Sequence, residues 1–426
     1  MAPQSLPLNG IRVIDYSHFL AGPFLSRCLA ALGADVIKVE RPKAGDAGRA
    51  HAYFKHGQSG YFLQQNMGKQ GLCIDLKDPR GLELMHRLVR TADVFVENYR
   101  PGALDRLGLG YAELARLNPR LIYCSVSAYG HSGPDSNRPG FGLIAEARSG
   151  AMAQLGVPGE PPPLFRMPIA DMYTGIHGVA AVCAALVGRA TSGVGQHIDM
   201  ALYDCMISMH DYAVQCYTLS GGTEIPVQTG HDLPQSTVYG VFTARDGYLV
   251  IAAQVDDAWQ RLARLIGGEA LAADKRFLDL ASRNANRPAV LALVRDWTIA
   301  QPSRAACLMA LDQAGVPCAP VQRIDEVLTD PQTLARGMLV EQDHPVLGRV
   351  RLPNLPFRFS GYDTSPRGPA PLMGQHNREI AAGLGYTAAE VDALVRDGVL
   401  YAEPAACQVA DAKTNDGAMD SGACTS

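Results

Sequence analysis

The sequence predicts an α/β fold with a mostly parallel sheet in its first half, and three observations predict it. Short Val/Ile-rich runs recur at residues 11–15, 35–39, 73–76, 94–96 and 121–125, reading as near-continuous apolar strands of the kind a sheet covered on both faces requires. Helical patterns alternate with them, at 22–32, 79–91 and 111–117, so the order is strand, helix, strand. The first helix carries Pro23 near its start and Gly33 at its end, which punctuates a βαβ unit over residues 11–39. The turn after the first strand reads His18-Phe-Leu-Ala-Gly-Pro-Phe. It lacks the Gly-x-Gly-x-x-Gly that cradles a dinucleotide pyrophosphate, which argues against a nicotinamide or flavin oxidoreductase.

The texture changes near Gly221. A Gly/Pro/Thr-rich stretch to Ser236 reads as a linker, and residues 239–252 read as paired strands around the Arg245-Asp246-Gly247 turn. Amphipathic spacing at 256–266, 288–298 and 304–314 then predicts helices of a smaller α+β domain. The division expected is 1–220, first part of a large α/β domain; 221–330, linker and small domain; 331–403, a further segment of the large domain; and 404–426, a small, polar, unpatterned tail expected to be disordered.

Composition narrows the function classes. The chain has 426 residues, 47% hydrophobic and 19% charged, enough to bury two cores. A net charge of −4 with interspersed signs provides no basic face for nucleic acid. Ten cysteines, among them Cys28, Cys73, Cys124, Cys183 and Cys205, are scattered without Cys-x-x-Cys or metal-ligand spacing, reading as small buried hydrophobes in a reducing compartment. The N-terminus has neither the basic nor the apolar region of a signal peptide, and no stretch is expected to span a membrane. A cytoplasmic protein without a metal or tightly bound cofactor is expected.

One carboxylate stands out. Ile176, Val179, Ala180, Cys183, Leu186 and Val187 recur at intervals of three and four, predicting a helix over 172–189 with Asp171 at its N-cap. An N-cap Asp ordinarily does no more than satisfy a backbone N–H. The same position lets the helix dipole hold the carboxylate ionised, as a nucleophile requires. Gly175 and Gly178 weaken the helix and imply close packing there by a backbone or a ligand.

The motifs around this carboxylate resemble those of the class III coenzyme A transferases (CaiB/BaiF-like), the formyl-CoA and carnitine-CoA transferase group. The resemblance is carried by Gly10-Ile-Arg-Val-Ile-Asp, Leu20-Ala-Gly-Pro, Leu32-Gly-Ala-Asp-Val-Ile-Lys-Val-Glu-Arg-Pro, Val96-Glu-Asn-Tyr-Arg-Pro-Gly, Asn118-Pro-Arg-Leu-Ile-Tyr, Tyr129-Gly-His-Ser-Gly-Pro, Pro168-Ile-Ala-Asp, Gly348-Arg-Val-Arg-Leu-Pro and Leu372-Met-Gly-Gln-His. Each is weak alone, but together they hold their order from residue 10 to 376.

The resemblance implies a Rossmann-like large domain completed by the segment after residue 330, and an interlocked, ring-like homodimer. It implies that Asp171 attacks an acyl-CoA thioester, giving an aspartyl–acyl anhydride and CoA thiolate, which then exchange through an aspartyl-CoA thioester. It places Arg41, Ile74, Lys77, Asn98, Tyr99, Ala103, Arg106 and Arg138 at CoA-contacting positions. Coenzyme A would enter as a substrate, together with a short carboxylic acid. Water must be kept from the anhydride, and backbone N–H groups near the glycines and the helix start would serve the tetrahedral intermediates.

Departures from the family's patterns refine the expectation. Leu20 stands where formyl-CoA transferases carry glutamine, and the loop Pro226-Val-Gln-Thr-Gly-His-Asp-Leu-Pro lacks their glycine run, which disfavours formate and oxalate chemistry. The chain looks closer to members acting on dicarboxylates such as succinate, malate, mesaconate or itaconate. Racemases of 2-methylacyl-CoA share the fold but pair the aspartate with a histidine in Arg-x-Gly-His-Asp, because moving an α-proton between two faces takes two acid/base groups. Here the segment is Arg138-Pro-Gly-Phe141-Gly142, leaving His131 as the histidine that could substitute. A non-catalytic CoA-binding subunit is the remaining alternative, and an intact Asp171 segment argues against it.

Overall fold

A computed structural model describes residues 5–403; the tail expected from residue 404 onward lies outside them. The chain divides into two compact units. The first comprises the chain up to Ser149, Arg166–Met209 and the part from Gln332 on; the second comprises Gly150–Phe165 and His210–Pro331. Two expected boundaries shift. The middle segment of the first unit ends at Met209 rather than residue 220, and residues 150–165, a Gly/Pro-rich stretch with no periodicity to place it, group with the second unit.

The first unit is built on a six-stranded sheet. In spatial order its strands are Gln70–Cys73, Asp35–Glu40, Arg12–Tyr16, Val94–Glu97, Ile122–Ser127 and His197–Ala201. Every pairing is parallel. Numbered along the chain this is 3-2-1-4-5-6, the doubly wound order, whose direction reverses between the first and fourth strands. Loops leaving the carboxyl ends of those two strands diverge and open a crevice, so residues just after Tyr16 and Glu97 line whatever binds there.

Two strands differ from expectation. The third is Gln70–Cys73 rather than 73–76. Ile74 is apolar because it is fully buried and forms an isolated bridge with Leu400, where residues 380–400 close the core over Leu72, Leu84 and Leu88. The sixth strand, His197–Ala201, gives no apolar run because it is a half-buried edge strand.

The helix Ala21–Ala31 is buried along its whole length, and the long helix Ile169–Ser192 packs across it. Gly175 and Gly178 make that crossing possible. A Cβ on Gly175 would meet the Phe24 ring at 2.7 Å, and one on Gly178 would meet Leu25 Cδ1 at 2.3 Å. The long helix has 24 residues, with an 18-residue stretch of mean hydropathy 1.4, long and apolar enough by those measures to cross a membrane, contrary to the expectation that no stretch would be. Its packing on Phe24 and Leu25 accounts for one apolar face; Val187, 73% exposed, lies on another.

A buried ionic network lies beneath the crevice. Lys38 Nζ sits 2.8 Å from Asp46 Oδ2 and 3.7 Å from Asp15 Oδ1, while Lys69 Nζ sits 2.8 Å from Asp15 Oδ2. All four side chains are buried. Burial alone would raise the Asp15 carboxyl, but the two ammonium groups hold it well below the usual range. Lys69, buried and facing Lys38, falls to about 8.

The second unit has a three-stranded antiparallel sheet, with the hairpin Tyr239–Ala244 and Gly247–Ala252 flanked by Cys318–Pro320. Its helices include Asp256–Ala272, Arg287–Ala300 and Arg304–Gln313. Trp259, Phe277 and Val294 are fully buried in its core. The first of these helices runs past the expected end at 266, and Gly268, at φ 67°, breaks its geometry. The eight cysteines among the described residues are free thiols.

Candidate active site

A cleft of about 380 Å³ opens at the switch point of the sheet, and Asp171 lies in its wall. Around it stand His18, Asn98, Tyr99, Arg100, Arg106 and Phe141. A second cavity of about 210 Å³, reaching Arg41 and Asp46, shares Tyr99, His18 and Phe19 with it. Arg100 and Arg106 line the first cavity with Asp171, and Arg41 lines the second with Glu40 and Asp46.

Asp171 is not an N-cap. Pro168 holds that position, and Asp171 is the third residue of the helix, without a side-chain capping bond. The helix starts earlier than the apolar stripe because Ile169 and Ala170 extend it behind Pro168. The electrostatic expectation is also reversed. Burial, helped by the Glu146 carboxylate, pushes the Asp171 carboxyl up to about 7. A helix dipole contributes about 0.3–1 kcal/mol, against the roughly 4 kcal/mol separating a carboxyl at 3.8 from one at about 7. Desolvation therefore wins.

Glu146, from the helix Gly142–Arg148, is 3% exposed and accepts the N–H of Ala170 at 3.2 Å. Nothing in the sequence links it to a residue 25 positions on. Three first-turn amides expected to serve an oxyanion are occupied: Ile169 N–H donates to Met167 O, Ala170 to Glu146, and Met172 to Pro168 O. Gly175 and Gly178 face Phe24 and Leu25. The glycines therefore serve helix packing, and at the helix start only the Asp171 N–H has no acceptor among the described residues.

The residues anticipated for CoA divide into three groups. Asn98, Tyr99, Ala103 and Arg106 line the cleft with Asp171, and Arg41 lines the adjoining cavity. The Asn98 amide is engaged in a backbone strap, accepting from His18 N–H at 2.8 Å and donating to His18 O at 2.7 Å. It shapes the cleft rather than presenting a free amide. Ile74 has no accessible side chain, and Lys77 is exposed and lines neither cavity. Arg138 is also outside; its guanidinium donates to Asp135, which pairs with Arg148 as well. Arg100, which the motif pattern does not single out, directly follows Asn98-Tyr99 and lines the same cleft. Neither Arg100 nor Arg106 has a side-chain hydrogen bond or ion pair among the described residues, so both guanidinium groups are free for an anion.

His131 does not line the Asp171 cleft. It lies in a different cavity, of about 240 Å³, with Glu97, Tyr111 and His197. There Ser125 Oγ and His197 Nε2 are 2.8 Å apart, the His131 and His197 rings have centroids 5.2 Å apart, and Glu97 Oε2 accepts the N–H of Tyr99 at 2.8 Å. Burial pushes the Glu97 carboxyl up to about 7.

Comparison with known proteins gives the family. The profile of CoA-transferase family III matches residues 8–377. The chain is 37% identical over 398 residues to a succinate–glutarate CoA-transferase of Agrobacterium fabrum, covering 90% of this chain and 97% of that protein. It is 36% identical to an acetyl-CoA:oxalate CoA-transferase of Acetobacter aceti, covering 88% and 95%. It is 35% identical to a succinyl-CoA:mesaconate CoA-transferase of Haloarcula hispanica, covering 89% and 97%. A crystal structure of a CaiB/BaiF family protein from Brucella suis superposes with a TM-score of 0.80 at 37% identity, covering 89% of this chain and all of that one. A family profile over residues 8–377 and relatives at 35–37% identity over most of the chain define an enzyme that transfers CoA. The chain belongs to CoA-transferase family III. It is an enzyme, a CoA-transferase, whose substrates are CoA thioesters and carboxylic acids.

Proposed function

We propose that the protein moves CoA between short dicarboxylic acids, with Asp171 as the nucleophile. The observation carrying this reading is the presence of Asp171, Arg100 and Arg106 on one cleft, with both guanidinium groups unpaired. Arg106 and Arg41 take the phosphates of CoA, and Tyr99, shared by both cavities, bounds the path between them. The thioester carbonyl then meets Asp171, whose carboxylate is poorly solvated and correspondingly reactive. Carboxylate oxygen attacks the carbonyl carbon, the C–S bond breaks, and CoA leaves as thiolate. Thiolate attack on the Asp171 carbonyl of the anhydride releases the first acid and leaves Asp171 as a CoA thioester. The acceptor carboxylate attacks that thioester carbonyl, expelling thiolate and forming a second anhydride, and the thiolate then attacks the acceptor's acyl carbon, which breaks its bond to the Asp171 oxygen and releases the new acyl-CoA.

The named activities of the relatives favour succinyl-CoA as donor and glutarate or mesaconate as acceptor. They also return oxalate to the acceptors worth testing, against the expectation drawn from Leu20 and the short loop. The racemase alternative loses its second base: Phe141 lines the cleft where that pattern has its histidine, and His131 is in another cavity. We further propose a cytoplasmic homodimer, with the exposed apolar face of the long helix contributing to the interface. Light scattering coupled to gel filtration tests the assembly, and a monomer would refute it.

The deciding experiment incubates the purified protein with succinyl-CoA and a panel of acids, and follows new thioesters and adducts on Asp171 by mass spectrometry. New acyl-CoA species, lost in Asp171→Ala, establish the reading. Exchange without an Asp171 requirement refutes the nucleophile, and α-deuterium incorporation into a branched acyl-CoA without exchange points to the racemase.

A further inference from the structure

Phe19 is held in an unusual way. Its φ is 60°, in the left-handed region that a bulky residue rarely adopts. Asp46 over-determines that conformation: its Oδ1 accepts the N–H groups of Phe19 at 2.9 Å and Gly48 at 2.7 Å, while its Oδ2 is anchored 2.8 Å from buried Lys38. The strained backbone aims the ring at Phe141, with centroids 6.0 Å apart and planes at 89°, the edge-to-face geometry aromatic pairs favour. Phe19 also meets His51 edge-on, and His51 meets Tyr61. Tyr61 is near enough to Asp171 for that carboxylate to help push its hydroxyl up.

Phe141 immediately precedes Gly142, whose missing side chain accommodates the Asp171 carboxylate. Both Phe19 and Phe141 line the Asp171 cleft, and Phe141 is 66% exposed. An aromatic side chain held open to solvent at the rim of a reactive carboxylate contributes little to folding; its apolar surface becomes useful when an acyl chain covers it.

We infer that the Phe19–Phe141 pair keeps water from the acyl group carried on Asp171 and so sets the balance between CoA transfer and hydrolysis. This inference rests on the proposed acyl-Asp171 intermediate. Without the shield, a water oxygen attacks the acyl carbon of the anhydride. The bond from that carbon to the Asp171 oxygen breaks, the Asp171 carboxylate is regenerated, and the protons pass to solvent. The acid and CoA are then released separately, and the thioester energy is lost. Asp46 acts as a positioning residue, through the Phe19 amide.

The test compares wild type, Phe141→Ala, Phe141→Leu and Phe19→Gly with succinyl-CoA. Free thiol released without an acceptor reports hydrolysis; new thioester formed with a saturating acceptor acid reports transfer. The expected result is a rise of about tenfold in the hydrolysis-to-transfer ratio for Phe141→Ala, the equivalent of ~1.4 kcal/mol between two barriers. Phe19→Gly, which also relieves the left-handed backbone, gives a comparable rise, and Phe141→Leu restores most of the wild-type ratio. The exposure of Phe141 makes folding of its variants robust. An unchanged ratio in Phe141→Ala, with wild type transferring CoA, overturns this inference alone. Absence of transfer by wild type overturns the functional reading, and this inference with it.

Discussion

A Cβ placed on Gly142 would lie 2.2 Å from Oδ2 of Asp171. The two residues occupy complementary space, one supplying a carboxylate and the other the absence of a side chain. Gly142→Ala must therefore displace the carboxylate, and a misplacement of about 1 Å at a reacting group lowers turnover by roughly 10²-fold. The expected outcome is that loss in kcat, with little change in the KM for the CoA thioester. Gly188→Ala is the control, because nothing lies within 4 Å of its added Cβ and alanine favours a helix; it should be active and no less stable.

Because burial and Glu146 raise the Asp171 carboxyl to about 7, the nucleophile is substantially protonated in mildly acid solution. The kcat/KM for acyl-CoA should rise about tenfold per pH unit below ~7 and level off above it, since this ratio reports the free enzyme. Glu146→Gln removes the neighbouring charge, so the rise should move to lower pH. A flat profile from pH 5 to 8 would contradict the assignment.

Glu97 also rises to about 7 by burial, and its linkage has a definite sign. The folded state keeps the proton that the unfolded chain releases near 4.5. Stability therefore falls as pH rises from about 4.5 to about 7 and is level above that. Glu97→Gln abolishes this contribution, on the order of 3 kcal/mol. Relative to wild type, the variant should gain Tm progressively between pH 5 and 7.5, and its activity profile should keep the acid limb due to Asp171.

Lys38 holds two buried carboxylates at once. Lys38→Met leaves Asp15 with only Lys69 and removes the cation beside Asp46, so a loss of about 3–5 kcal/mol is expected from urea unfolding. The Phe19 loop, gripped by Asp46, should loosen before the rest of the sheet, seen as faster amide exchange at Phe19 and Gly48.

Arg106→Ala should raise the KM for CoA thioesters several-fold with the order of preferred acids unchanged. Arg138→Ala should change neither, because that guanidinium is occupied by Asp135 outside the cleft. A large effect at Arg138 with none at Arg106 would reverse the assignment, and steady-state kinetics with two donors decides it.

The alternation of apolar runs and helical patterns was enough to establish a parallel α/β unit, because strands buried on both faces must be apolar throughout. The order of motifs from residue 10 to 376 was enough to mark the family and single out Asp171. The edge strand His197–Ala201 and the assignment of residues 150–165 were illegible, because half-exposed or aperiodic segments carry no burial signal. Properties that depend on residues distant in sequence were decided only in three dimensions. Glu146 beside Asp171, Gly142 beneath its carboxylate, and Asp46 twisting Phe19 toward Phe141 meet through tertiary packing. Sequence periodicity reports which face of an element is buried; desolvation, charge pairing and steric complementarity depend on what that face is buried against.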